Sequence, residues 1–343
     1  MQKVHVIHTY THAILSNEDA FDISTLVLHA HFTQSRYYAM VQHLCGREVT
    51  RVCVYDNGNI VGYFHIIAYR LFGALSYAYI PYGPVLIEQN EVLCKYVKKI
   101  ITTLSAHKKY IFTRLDFEPY DAVAETLFFR APSASYKGST FQPRKEWVVN
   151  VKKTDEEILD GMHEKTRYCI RTSHKKDLQT YIITENFDAH FDTFYKLMQQ
   201  NAVRNHFSLH PEKYYRAYFA ELAHNRDSFL VYCSYKEEVL AVYVYVSYGD
   251  TVHYVFGASS DNEKNRMPTY VAHWVGMRHV RELGYTYYNF GGIQSTSDNG
   301  VGMQSLTKYK QKFGGEVWMH GPFYDVVIRP FWYALYMLRK LFT

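Results

Sequence analysis

One supersecondary order occurs twice in this chain and constrains its fold more than any single motif: a hairpin, a strand, a helix and a second strand. In the first half, VTRVCVYDNGNIVGYFHIIAYRL carries Asp56-Asn57-Gly58 between two β-rich runs. Asn-Gly supplies the left-handed backbone that a tight hairpin requires. Tyr77 to Ile80 then reads as a strand stopped at Pro81, followed by a Tyr82-Gly83-Pro84 turn and a helix from about Glu88 to Ala106. YIFTRLDFEP reads as another strand, alternating outward Arg114 and Asp116 with apolar neighbours. The second half repeats the order. FLVYCSYKEEVLAVYVYVSYGDTVHYVFGAS turns at Lys236-Glu237-Glu238 and at Gly249-Asp250, and a helix from about Met267 to Leu283 leads to the strand YTYYNF. A pattern repeated in this way implies two copies of one α/β domain. The length of 343 residues also exceeds what a single core usually serves. The expected domains are 1–150 and 151–343, joined by a basic helix over about 155–176.

Composition narrows the class. Hydrophobic and charged residues occur in near-average proportions, which argues for a folded globular protein without long disordered tails. The unusual feature is aromatic, with 33 Tyr and 21 Phe. Tyrosine offers rigid contact area with a polar tip, suited to grooves for peptides, sugars or bases, and A/T-rich coding accounts for the excess equally well. The net charge of +5 is too mild to define a nucleic-acid binder by itself. Five cysteines, odd in number and not closely paired, read as reduced thiols of a cytoplasmic protein. The N-terminal stretch lacks the charged start and apolar run of a secretory signal. No run reaches the ~20 apolar residues needed to span a bilayer. The C-terminal PFWYALYMLRKLFT is aromatic, basic and amphipathic if helical, so it either packs on the body or rests on a membrane surface. The 18 histidines show no H-E-x-x-H or comparable spacing, so no metal is expected.

Two places carry candidate chemistry. Between Tyr287 and Gly315 an aromatic strand empties into Gly291 and Gly292, then a polar loop, then Tyr309 and Lys310. Paired glycines permit positive φ or a close backbone approach to a ligand. A following helix would return the Lys310 ammonium towards that turn, where it can meet an anion or a polarised carbonyl. An ordinary strand-to-helix turn with solvated lysines fits the same letters. The second place is the connecting segment, where Thr154 and Glu157 form a capping box. Arg167, Arg171 and Lys175 follow at i, i+4 and i+8, one cationic stripe on a helix. Such a stripe binds phosphate, with Tyr168 available to stack on a base, or is simply a solvated face.

The collinear order of Gln34-Ser35, the hairpin, YIPYGPV, QPR at 142–144, MHEKTRYCIR, VRNHFSLHPEKYY, HYVFGASS, YNFGGI and YKQKFGG resembles the Fem family of peptidoglycan bridge-forming aminoacyltransferases, nearly end to end. That resemblance implies tandem GNAT-like domains, in the compact form without a long helical arm. It implies an aminoacyl-tRNA donor, no separate cofactor, and a nucleotide-linked (UDP-linked) or lipid-linked muropeptide as acceptor. It also implies roles. Lys310 would neutralise the developing oxyanion or a terminal tRNA phosphate, and Tyr309 would pack against the terminal adenosine. Asp116 would hold the acceptor ammonium or accept its proton, unless it pairs with Arg114. Tyr214 matches a groove tyrosine. Gln42 and His210 stand where compact members place a lysine and an arginine on the acceptor's diphosphate, and Arg36, Arg204 or Arg216 are the candidates to substitute. Arg114 is a further candidate for substrate contact, and two pseudo-equivalent domains permit a monomer.

Three other functions compete. An acyl-CoA-dependent GNAT would want a glycine-rich cradle opening the helix after the long hairpin, where this chain reads SSDNEKNRMPTY. A leucyl/phenylalanyl-type protein transferase shares donor and domain plan with a weaker match in both halves. A non-catalytic binder would explain the Gln42 and His210 departures.

Overall fold

The structure, a computed structural model, describes residues 8–71, 73–116, 142–294, 301–321 and 323–341. The chain opens with β1 (Tyr10–Leu15), α1 (Arg36–Leu44), β2 (Val49–Asp56), β3 (Asn59–Arg70), β4 (Ser76–Ile80), β5 (Val85–Leu86), α2 (Glu91–His107) and β6 (Phe112–Asp116). It continues through β7 (Lys145–Asn150), α3 (Asp155–Asp160), α4 (Glu164–His174), β8 (Gln179–Ile183), α5 (Phe191–Asn205) and α6 (Glu212–Leu222). Next come β9 (Phe229–Tyr235), β10 (Glu238–Tyr248), β11 (Thr251–Ser259), α7 (Pro268–Glu282), β12 (Tyr287–Gly292), α8 (Val301–Gln311) and β13 (Glu316–Met319). It closes with β14 (Phe323–Val327) and α9 (Pro330–Leu341).

These elements form two compact units, one of Met1–Gln142 with His320–Thr343 and one of Pro143–Met319. The expected division at residue 150 is therefore displaced. Lys145–Asn150 pairs inside the second sheet, and the last strand and helix return to the first. Within the first unit the sheet order is β1-β2-β3-β4-β6-β14, with β5 on β3. Asn57 and Gly58, at φ 48° and 82°, make the predicted turn between β2 and β3. The Asn90 side chain accepts from the Leu93 amide at 2.8 Å and starts α2, which crosses over to lay β6 parallel to β4. The second unit repeats the plan in the order β13-β7-β12-β11-β10-β9-β8, with α7 as the crossover that lays β12 parallel to β11.

Both parallel ladders are short. In the first unit the pairs run from Ala78↔Thr113 to Ile80↔Leu115, one residue short of Asp116. In the second they run from Thr251↔Tyr287 to His253↔Asn289, although β11 continues to Ser259 and β12 to Gly292. Each unit thus has strand ends that leave a parallel ladder at the carboxyl end, and the candidate residues Asp116, Gly291 and Gly292 lie there.

Two expectations need correction. Arg114 and Asp116 do not face outward, because β6 is buried along its whole length. Leu115 joins the cluster under α2, while the opposite face of β6 is covered through Phe112 by Trp332, Tyr333 and Tyr336 of α9. The basic connecting helix is also two helices. Thr154 and Glu157 make the predicted capping box of α3, which stops at Gly161, and α4 starts afresh with the His163 imidazole accepting from the Lys165 amide at 3.1 Å. From α4 the chain runs through β8 into α5.

Candidate active site

The second unit builds its site around Lys310. From α8 its ammonium turns back and donates to the Gly292 carbonyl at 2.7 Å, the return to the glycine turn that the spacing suggested. The side chain is buried, and desolvation lowers its pKa to about 8, with the Glu146 carboxylate acting in the opposite direction. Glu146, on β7 opposite Gly292 in register, is itself buried and accepts from the Asn289 side-chain amide at 2.9 Å. The Asn289 side-chain oxygen in turn accepts the Gly291 amide at 2.7 Å. Gly291 does adopt positive φ, at 72°, so the predicted left-handed turn is present. Its N–H, however, is engaged by Asn289. At Gly292 the close approach is to protein, since a Cβ there would lie 2.6 Å from the Pro143 ring. The polar loop at 295–300, part of the sequence feature, lies outside the described residues.

Tyr309 packs inward. Its hydroxyl donates to the Thr269 carbonyl at 3.1 Å, and its ring meets Tyr270 and Phe313 edge-on at 5.2 and 5.3 Å. Beside it His273 is enclosed, with Nδ1 2.6 Å from the Tyr288 hydroxyl, and burial first and the Lys310 charge second hold its pKa well below the ordinary value. Glu146, Asn289 and His273 were not singled out from the sequence. The available signal was a polar residue inside an apolar strand, Glu146 in KEWVV and Asn289 in YYNF.

His210 and Tyr214 come together at the start of α6, with ring centroids 4.3 Å apart, and the Tyr214 hydroxyl lies 3.3 Å from that of Tyr218. Arg204 does not join them through its hydrogen bonds. Its guanidinium donates to the Ser259 carbonyl and to Asp261, both at 3.0 Å. Arg216 is likewise held, by Glu212 at 2.7 Å and Asp192 at 3.4 Å. On α4 the stripe is reduced. Arg167 donates to the Leu159 and Asp160 carbonyls at 3.4 Å and to Met162, capping the end of α3, whereas Arg171 and Lys175 are exposed.

In the first unit Asp116 accepts from the Tyr79 hydroxyl, and the Tyr82 amide lies 3.5 Å from the same oxygen. Its Oδ1 is buried with no hydrogen-bond partner among the described residues. Burial pushes its pKa up to about 8, and the Tyr79 bond opposes that. The alternative pairing with Arg114 is not what forms. Arg114 makes a bidentate bond to Asp325 of β14 at 2.8 and 2.7 Å, and Tyr333 donates to Asp325 at 2.8 Å. Opening a buried pair of this kind costs about 3–5 kcal/mol, which makes Arg114 a structural tie and argues against its predicted substrate contact. Gln42 is fully buried on α1 and its oxygen accepts from Arg47, while Arg36 donates to the Asn17 carbonyl at 3.3 Å. All five cysteines are buried and none is in a disulfide, and no group of His, Cys, Asp and Glu that could hold a metal occurs among the described residues.

Known proteins share this architecture. Residues 163–311 match the acetyltransferase (GNAT) domain family and residues 19–138 match the FemAB family. The crystal structure of FemX superposes with a TM-score of 0.82 over 95% of this chain and 99% of that one, at 16% identity. The C-terminal domain of a putative lysylphosphatidylglycerol synthetase from Agrobacterium fabrum gives 0.55 over 92% and 93%, at 12% identity. A tandem GNAT protein from the clavulanic acid biosynthesis pathway gives 0.52 over 93% and 99%, at 11% identity. None of the curated proteins matches the chain by sequence. Two sheets of one plan, each with a parallel pair after an antiparallel meander, define an acyltransferase with tandem GNAT-like domains. Within that class, residues 19–138 match the FemAB family and the fold is the one seen in FemX.

Proposed function

We propose that this protein transfers an amino acid from an aminoacyl-tRNA to a side-chain amine of a peptidoglycan precursor stem peptide, forming part of an interpeptide bridge. The observation that carries the reading is the buried Lys310 ammonium on the Gly292 carbonyl, at the strand end beyond the β11–β12 ladder, in a chain whose residues 19–138 match the FemAB family. The acceptor amine attacks the ester carbon, the bond to the tRNA ribose oxygen breaks, and the proton lost by nitrogen ends on the released ribose hydroxyl. The ester is already activated, so no covalent nucleophile is needed. A charge in a water-poor place is worth most where an oxyanion develops, and Lys310 titrates at about 8, so it is mostly charged at neutral pH.

Asp116 titrates at about 8, so only its ionised fraction, the minor form at neutral pH, can hold the acceptor ammonium and take its proton, and that contribution should grow as pH rises towards about 8. His210 and Tyr214 are the acceptor contacts of the reading, Gln42 being fully buried and bonded to Arg47, and the exposed Arg171 and Lys175 face the tRNA backbone. Pro268 at the first position of α7 removes one of the amides that an acyl-CoA pyrophosphate would use, which favours a tRNA donor. The exposed apolar residues of α9 favour an acceptor met at a membrane surface, and no helix among the described residues is long and apolar enough to cross one.

The test is a transfer assay with pooled radiolabelled aminoacyl-tRNAs and both nucleotide-linked and lipid-linked muropeptides, with RNase-treated and acyl-CoA controls. Label should move to a muropeptide and stop with RNase, and Lys310→Met should lower turnover at least ~10²-fold. Label taken only from acyl-CoA would replace the reading with an ordinary GNAT N-acyltransferase. Transfer to a protein N-terminus would replace it with the leucyl/phenylalanyl type. Binding of tRNA without any transfer would leave an inactive binder.

A further inference from the structure

Glu146 is a carboxylate buried within a β-sheet, and no step of the proposed reaction uses it. It lies on β7 between two strands, opposite Gly292 of β12 and Trp318 of β13 in register. The sheet bulges here, with the β12–β7 register shifting between Asn289 and Gly292. The residues of the bulge are tied in series. The Gly291 amide donates to Asn289, the Asn289 amide donates to Glu146, and the Gly292 carbonyl, next along the chain, accepts Lys310. An anionic group 3% exposed is costly unless a cation or hydrogen bonds compensate it. The cation whose charge it acts on is Lys310. His273 of α7 is a further titratable group on which that ammonium acts. It is enclosed, bonded to the Tyr288 hydroxyl and kept neutral by burial, so it adds no opposing charge.

We propose that Glu146 is the positioning residue of Lys310, its carboxylate fixed by Asn289 so that the ammonium stays charged and aimed along the Gly292 carbonyl at the β12 bulge. The inference rests on the reading that Lys310 serves acyl transfer, and it names the group that sets that lysine's charge. Without Glu146, desolvation alone would act on Lys310, and the amine would lose its proton at lower pH. Asn289 has a separate part, because it couples the left-handed turn at Gly291 to the carboxylate.

The test uses Glu146→Gln, which keeps the shape and an oxygen to accept from Asn289 while removing the charge. Lysine side chains labelled with carbon-13 are titrated by NMR in the full chain, with the Lys310 signal assigned by its loss in Lys310→Met. The midpoint of Lys310 should fall by ~1 pH unit or more, the range expected for losing an opposite charge nearby. The ratio of variant to parent kcat/KM should then be near one at about pH 6 and fall roughly 8-fold by about pH 8.5, with thermal stability little changed. An unmoved Lys310 midpoint overturns the inference, whatever happens to turnover. A shifted midpoint with a rate ratio flat in pH upholds Glu146 as the group that sets the charge and removes Lys310 from the chemistry, which is the failure of the functional reading alone.

Discussion

Asp116 keeps its proton in the folded chain far above the pH at which a solvated aspartate loses it, because β6 is covered on both faces and one carboxyl oxygen has no partner among the described residues. The consequence for stability has a definite sign. Below the unfolded value, near 3.8, the group is protonated in both states and costs nothing. Between that pH and about 8 the unfolded chain ionises it while the folded chain does not, so stability is lost as pH rises through this window. Asp116→Asn retains an oxygen for the Tyr79 hydroxyl and removes the titration. Urea unfolding should show the variant gaining on the parent as pH rises from about 4 to about 8, by on the order of a few kcal/mol. A difference independent of pH would mean that Asp116 is ionised when folded. Turnover should fall by about 10²-fold or more if it also serves as the base. The residue type and its place at a strand end were legible in the sequence. Its burial was not, since the side chains that cover β6 come from α9, more than two hundred residues along the chain, and the Asp325 that ties Arg114 comes from β14, 211 residues away.

At the scale of elements, hairpins, crossover helices and parallel strands were readable because their signals are local. Asn57-Gly58 makes a turn, Asn90 and Thr154 cap helices, and alternation marks a strand. The break between α3 and α4 has a weaker signal. Gly161 ends the first helix without positive φ, and a histidine caps the second. The break changes what the basic stripe can do. Arg167 is spent on the carbonyls that α3 leaves open, a common use of a cation at a helix C-terminus. Arg167→Ala should therefore lower stability, by about 1 kcal/mol for the lost bonds. Under the proposed function the tRNA contact falls instead to the exposed pair. Arg171→Glu with Lys175→Glu should weaken tRNA binding and reduce the slope of log affinity against log salt by about two phosphates' worth, leaving the melting temperature unchanged. Filter binding across a salt series measures both, and an unaltered slope would make this a solvated face.

For the whole molecule, the return of the C-terminal segment to the first unit bears on where the proposed function would meet its acceptor. In α9 the ring of Tyr336 lies tilted against Phe112 with centroids 4.9 Å apart, and Trp332, Tyr333 and Met337 join the same apolar cluster, so one side of the helix is used in packing. Phe331, Leu335 and Leu338, at i, i+4 and i+7, remain 69%, 39% and 52% exposed. From Val326 onward the chain has no acidic residue, while Arg329 precedes the helix and Arg339 lies near its end. An apolar stripe between basic ends matches an anionic bilayer, because the rings and leucines enter the acyl boundary while the guanidinium groups remain at the phosphates. Replacing Phe331 and Leu338 by Ser alters only exposed side chains and should leave the melting temperature and transfer to a nucleotide-linked acceptor near those of the parent. Sedimentation with phosphatidylglycerol vesicles should fall about 10-fold, the parent's binding should weaken with salt, and vesicles of phosphatidylcholine alone should bind neither. Equal sedimentation of parent and variant would return α9 to a packing role. Loss of vesicle binding together with slower transfer to a lipid-linked but not a nucleotide-linked acceptor would make the helix the part that brings the site to its substrate.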